Sequence, residues 1–224
     1  MIRIENLCKM YKNGEQKNQA VRNIDFSILQ KEFVSIVGRS GSGKSTLLKM
    51  VGGILQPTSG KVIVCGVDLY SISDRELTRF RADKIGFIFQ DFCLEELYTV
   101  YKNIEIVLMI NRIPVGERKE MILDVLKKVG LEKYSDTPIY MLSGGEKQRV
   151  CIARAIVKRP QIILADEPCG NLDTENGEII MKLLREISDS GMVVVLVTHN
   201  MEDARKTDRI IELRDGKVIS DEKN

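Results

Sequence analysis

The 224-residue chain has a single histidine and only five cysteines. Cys8, Cys65, Cys93, Cys151 and Cys169 are scattered and form no C-x-x-C pair. That spacing argues against a zinc site and for reduced thiols rather than a disulfide framework. No apolar run approaches the roughly 20 residues that a membrane-spanning helix needs. The opening Met1-Ile2-Arg3-Ile4-Glu5 carries no apolar leader segment, so no signal peptide is expected. The chain stops soon after a terminal hairpin pattern, so no appended regulatory domain is expected either. A formal net charge of +2 is too small to argue for a nucleic-acid surface. The length suits one large α/β domain, with room for a subdomain.

What is present centres on Gly38-Arg39-Ser40-Gly41-Ser42-Gly43-Lys44-Ser45, which fits G-x-x-x-x-G-K-[ST]. Phe33 to Val37 before it reads as a buried strand and Thr46 to Val51 after it as a helix, the context this loop requires. Glycines let the backbone approach an anion, and successive N–H groups then point inward at a helix N-terminus of partial positive charge. Lys44 can reach the β- and γ-phosphates of a nucleotide, and Ser45 can offer a hydroxyl to Mg²⁺.

Ile2 to Leu7 reads as a first strand, followed by Tyr11 in a polar loop with Lys12-Asn13-Gly14-Glu15-Gln16. Tyr11 is either a base-stacking aromatic or a plain surface residue. Val21 to Ile28 reads as a strand, Pro57 to Gly60 as a turn, Lys61 to Cys65 as a strand and Asp74 to Phe80 as a short helix. Ile85 to Phe89 is an apolar strand closed by Gln90. There the amide could reach a metal or water, or merely cap a loop, since ligands sit at the carboxyl ends of such strands. From about 91 to 158 the pattern turns helical, with Val100 to Ile110 apolar nearly all round. Glu117 to Val129 is striped, and Gly130 is placed as its cap.

Ser143 opens a helix behind Leu142, with Gly144-Gly145-Glu146 next. It reads as a second anion-binding helix end with bare amides, or as an ordinary capped helix. Ile162 to Asp166 is a buried strand ending in adjacent carboxylates. Asp166 suits Mg²⁺, usually through water, and Glu167 suits activation of an attacking water. Thr174 to Ser188 is a helix with Ile180, Leu184 and Ile187 inward. Val193 to Val197 is a strand ending in Thr198-His199. A lone histidine is usually structural, but its position at a strand end beside Gln90 and Glu167 favours function. Arg209 to Leu213 and Lys217 to Ile219 form a hairpin across Asp215-Gly216.

Together these segments resemble the ATP-binding subunits of ABC transporters over nearly the whole chain. The phosphate loop is similar to Walker A, Leu142-Ser143-Gly144-Gly145-Glu146 to the ABC signature, and Ile162 to Asp166 to Walker B. By resemblance Glu167 takes the place of the catalytic glutamate, Tyr11 that of the adenine-stacking aromatic and Gln90 that of the Q-loop. Gly170-Asn171-Leu172-Asp173 falls at the D-loop and His199 at the switch histidine. A narrower likeness lies in Gly14-Glu15, Phe87-Ile88-Phe89-Gln90, Ala165-Asp166-Glu167-Pro168 and Gly170-Asn171-Leu172-Asp173. These are similar to a bacterial group containing macrolide exporters, lipoprotein-releasing ATPases, the FtsE type and antimicrobial-peptide resistance transporters. Glu146 departs from the commoner Gln, Cys169 stands where Thr is usual, and Arg39 fills a variable position. Cys93 to Tyr98 is atypical where the family meets its permease.

The resemblance implies a P-loop NTPase of residues 1–224. It would have a mostly parallel central sheet, an N-terminal antiparallel β-subdomain and an inserted helical subdomain at about 91–158. It implies ATP and Mg²⁺ held by Tyr11, residues 38–46 (Gly38, Arg39, Ser40, Gly41, Ser42, Gly43, Lys44, Ser45 and Thr46), and Gln90 and Asp166. Across a head-to-tail dimer, Ser143, Gly144, Gly145, Glu146 and Asp173 would complete the site. Lys44, Gln90, Glu167 and His199 would be catalytic. The implied partners are a second copy and an integral membrane permease, at the cytoplasmic face of the membrane, with no nucleic acid. Both substrate export and signalling without transport are compatible with these residues. Chromosome or repair ATPases with an ABC head carry long coiled coils or zinc modules, and translation-associated ABC proteins carry two such domains; neither feature occurs here. No N-K-x-D guanine motif appears, which disfavours a GTPase.

Overall fold

The computed structural model describes residues 1–13 and 16–224; Gly14 and Glu15, part of the narrower likeness, lie outside the described residues. Two sheets carry the architecture. The first is antiparallel, in the order β2-β1-β4-β5, from β1 (Ile2–Asn13), β2 (Gln16–Ile28), β4 (Ser59–Val64) and β5 (Val67–Asp68). The second runs β10-β9-β3-β8-β7-β6. In it β3 (Phe33–Val37), β6 (Ile85–Ile88), β7 (Ile162–Asp166), β8 (Val193–Thr198) and β9 (Arg209–Arg214) are mutually parallel. The edge strand β10 (Lys217–Lys223) pairs antiparallel to β9.

Strands β3, β7 and β8 are buried along their whole length, as continuous apolar strands covered on both faces must be. Alternate residues point to opposite faces, and the sheet thereby divides two cores. Phe33, Ile163, Ala165, Val194 and Leu196 join the helical side. Val34, Ile36, Leu164, Val195 and Val197 join the side holding the antiparallel sheet and α1 (Lys44–Val51). The single polar residue within β3, Ser35, is buried and satisfied, its hydroxyl 3.1 Å from that of Thr207 and 3.4 Å from the Arg209 carbonyl.

Between β6 and β7 the chain is helical: α3 (Val100–Ile110), α4 (Val115–Lys128) and α5 (Gly144–Ile156), with short 3₁₀ turns at Glu132–Tyr134 and Ile139–Met141. Ile104, Leu108, Ile122, Leu126, Val150 and Ile152 interlock there and continue into the sheet's helical-side core. α2 (Asp74–Lys84) precedes β6, α6 (Thr174–Asp189) precedes β8 and α7 (Met201–Ala204) follows it.

Several expectations need correction. Tyr11 is in β1, paired with Asn18, and not in a loop. The β1–β2 ribbon runs on through polar residues because its ladder bonds require no apolar face, and bulges near Leu7 and Lys9 break the alternation. α2 continues past Phe80 to Lys84. It buries no residue, so no stripe marks its length. α1 starts at Lys44, inside the phosphate-loop motif and two residues before the expected Thr46.

Candidate functional site

The phosphate loop leaves the carboxyl end of β3, between β8 and β9. Gly38, Gly41 and Gly43 have φ of 153°, 79° and 102°. At Gly43 both conformation and space forbid a side chain, since a Cβ would stand 2.3 Å from the Ala20 carbonyl oxygen. The Lys44 ammonium is buried and donates to the carbonyls of Gly38 (2.8 Å) and Arg39 (3.2 Å), bracing the loop. The Ser42 hydroxyl is buried in the same loop without a partner among the described residues. A cradle of inward backbone, a buried cation and an unpartnered hydroxyl fit a phosphate chain.

A cleft of about 810 Å³ opens over this loop, lined by residues 37–41 and 43–46 and by Ala20, Gln90, Glu167, His199, Met201 and Glu212. The structure thus gathers Lys44, Ser45, Thr46, Gln90, Glu167 and His199 into one place. Asp166 lies just beneath, its Oδ1 accepting the Ser45 hydroxyl at 2.8 Å. Ser45, Asp166 and Gln90 present only oxygen acceptors and an amide, the donor type a hard divalent cation takes when water completes its shell. Among the described residues there is no cluster of three or more His, Cys, Asp or Glu that would hold a transition metal.

Burial raises the Asp166 pKa, against the Ser45 hydrogen bond and the Lys49 and Lys44 charges, which lower it. The folded chain therefore holds this proton more tightly than the unfolded chain. The associated stability is complete below the ordinary carboxylate range and is lost as pH rises through the raised value. Above that raised value the ionised carboxylate is a cost the fold carries for its chemistry. Asp166→Asn is therefore expected to raise the melting temperature of the nucleotide-free chain by roughly 2–4 °C, what about 1 kcal/mol does in a chain of this size. It should also remove Mg²⁺-dependent turnover. Calorimetry with a parallel activity assay checks both, and a lower melting temperature would contradict the argument.

Glu167 follows β7 in a left-handed conformation, φ 48°, rare for a non-glycine residue. Its amide donates to the Val197 carbonyl at 2.9 Å. This turn throws the carboxylate back over the sheet's end, where Oε2 lies 2.9 Å from His199 Nδ1 and accepts the His199 amide at 3.4 Å. The Glu167 side chain is 13% exposed and that of His199 67%. A shielded carboxylate held by an accessible imidazole is an arrangement that can take a proton from a water.

Tyr11 does not line the cleft. It is half-exposed on the antiparallel sheet, with the Lys9 ammonium 5.4 Å from its ring centroid. Ser143, Gly144, Gly145, Glu146 and Asp173 are also absent from the cleft lining. They form a second assembly. Ser143 caps α5 and Glu146 completes a capping box, its carboxylate accepting the Ser143 amide at 2.8 Å. The helix end is thus not bare as its two glycines suggested, although no hydrogen bond to a described residue engages the Gly144 and Gly145 amides. Asp173 caps α6, accepting the Asn176 amide at 2.8 Å and its side-chain nitrogen at 2.9 and 3.0 Å. A Cβ on Gly145 would meet Asn176 Oδ1 at 2.0 Å. Asn176 therefore ties Asp173 to the α5 terminus by direct packing. Sequence reasoning missed Asn176, and also Ala20, Met201 and Glu212 in the cleft. Only Met201, two residues after the strand-end histidine, carried a positional signal.

Comparison with known proteins identifies the family and the fold. The family model described as "ABC transporter" matches residues 21–170. An uncharacterized ABC transporter ATP-binding protein, MJ0796 of Methanocaldococcus jannaschii, is 44% identical over 228 residues, covering 100% of this chain and 97% of its own. A dimeric post-hydrolysis structure of the MJ0796 cassette, bound to ADP and Pi, superposes with a TM-score of 0.92 at 43% identity, covering 100% of this chain and 98% of that one. CbiO1 of Clostridium perfringens, part of the transporter complex cbiONQ, superposes with a TM-score of 0.89 at 30% identity, over 99% of this chain and 88% of that one.

Proposed function

This chain belongs to the ABC transporter family as one of its ATP-binding and ATP-hydrolysing cassettes, and from the geometry above we propose how its residues divide that work. The carrying observation is the separation of two half-sites: the phosphate cleft contains Lys44 and Glu167, while Ser143 and Asp173 stand outside it. Two copies placed head to tail bring each Ser143 helix end against the nucleotide in the other copy's cleft. An isologous pair makes two such sites. The dimeric MJ0796 cassette with ADP and Pi supports this reading.

In that arrangement Lys44 and the loop amides hold the phosphates of ATP, and the resemblance puts the adenine beyond the phosphate cleft, against Tyr11 on the antiparallel sheet. Ser45, Gln90 and Asp166 are the residues that would hold Mg²⁺, which would neutralise phosphate charge. Glu167 accepts a proton from the attacking water, and His199 steadies the γ-phosphate. The Ser143 hydroxyl and the Gly144 and Gly145 amides donate from the other copy, and Asp173 couples the two sites. The work is positioning and electrostatics, with little covalent chemistry.

We read residues 1–224 as one ATPase domain with its helical insert at about 91–158. No helix among the described residues is long and apolar enough to cross a membrane, so force must pass to a partner. A groove of about 620 Å³ between β6 and α3, lined by Phe87, Phe89, Cys93, Ile106 and Ile110, suits a permease helix. Leu97 and Tyr98, a few residues on from Cys93, are exposed as well. Such a partner would hold the cassette at the cytoplasmic face of the membrane, and the narrower likeness favours mechanotransmission to it.

The test is Ser143→Ala. It should lower ATP turnover tenfold or more, the scale of lost transition-state donors, while the isolated chain keeps its ADP affinity. An equal loss of ADP affinity would place Ser143 in its own copy's site and overturn the division.

A further inference from the structure

The α5 terminus is not an idle anion receptor. Glu146 Oε2 accepts the Ser143 hydroxyl at 2.8 Å as well as the Ser143 amide, while the hydroxyl oxygen accepts the Glu146 amide at 3.3 Å. A serine hydroxyl has one proton, and here that proton points at a carboxylate. Hydrogen bonds from Ser143 and Tyr134 and the nearby Arg149 charge hold Glu146 below the ordinary carboxylate range even against its burial. The group is therefore ionised at neutral pH. A full negative charge folded back over the first turn outweighs the roughly half-unit of positive charge that the helix end supplies.

We propose that Glu146 acts as a brake on dimer closure, engaging the Ser143 proton and setting a negative charge where the other copy's phosphate chain must arrive. This rests on the reading that Ser143 serves the other copy's site. For closure the hydroxyl must turn from Glu146 to a phosphate oxygen, and two anions must come close. Replacement by glutamine preserves the capping geometry, because Oε1 still accepts from the Ser143 amide, and removes the charge alone. Glu146 is a positioning residue here: it acts through Ser143 and is not assigned contact with ATP.

The experiment compares Glu167→Gln with the double variant Glu167→Gln/Glu146→Gln, following monomer and dimer by sedimentation across MgATP concentrations. The half-point for dimer formation should fall by about threefold to tenfold, the effect of one partly exposed unit charge near an anion at each of two sites. ADP affinity of the isolated chain, whose cleft Glu146 does not line, should stay unchanged. An unmoved or raised half-point overturns the brake, and so does an equal gain in ADP affinity. If Glu167→Gln alone forms no dimer with MgATP, the underlying head-to-tail reading fails instead, and the two failures are distinct.

Discussion

Glu167→Gln is expected to bind MgATP as the parent does, to hydrolyse it about 10²–10⁴ times more slowly, the usual contribution of a positioned general base, and to accumulate as an ATP-bound dimer. Glutamine matches the carboxylate in shape and keeps a polar contact with His199 Nδ1, which sits 2.9 Å from Glu167 Oε2. It can also occupy the left-handed backbone conformation at this position, anchored by the bond to the Val197 carbonyl. It cannot accept a proton from water. Binding, carried by the phosphate loop, is untouched, so closure proceeds and the step that reopens the clamp does not. Rapid-quench assays give the rate and sedimentation gives the dimer. A variant that turns over at the parent's rate would show that the base lies elsewhere.

Lys44→Ala should fail earlier, at binding. The ammonium donates to the carbonyls of Gly38 and Arg39, and phosphate oxygens are stronger acceptors for the same donors. Each charge-assisted bond is worth about 1.5–3 kcal/mol, so losing two weakens nucleotide binding by about 10²-fold or more. The truncation also leaves two carbonyl dipoles unopposed beside an anion. Fluorescent-nucleotide titration measures the loss, and unchanged affinity would remove Lys44 from the cradle.

The central strands were readable because parallel strands covered on both faces must be apolar throughout, and β3, β7 and β8 are. α3 was readable to its ends for a different reason: Thr99 caps it, and its apolar surface faces a core. Elements lacking such constraints were not. α2 buries no residue fully, β5 spans two residues and α7 four. Tyr11 was misplaced because the β1–β2 ribbon persists on backbone pairing alone.

The site divides in the same way. Lys44, Ser45, Asp166 and Glu167 sit in local patterns whose chemistry follows from neighbours in the chain. What binds Gly145 to Asn176, Glu167 to His199 and Tyr134 to Glu146 is proximity between distant segments. No local pattern encodes that. Nor does any residue pattern by itself put Ser143 outside its own copy's cleft; the shared site was an expectation of the resemblance, and the separation supports it.

That mechanism is tested most directly by mixing Lys44→Ala with Ser143→Ala at concentrations that permit pairing. A mixed dimer places both lesions in one composite site and leaves the other whole. With random pairing and independent sites, two individually impaired variants should together recover hydrolysis approaching about a quarter of the parent's rate. A mixture no more active than its components would contradict a site shared between two copies.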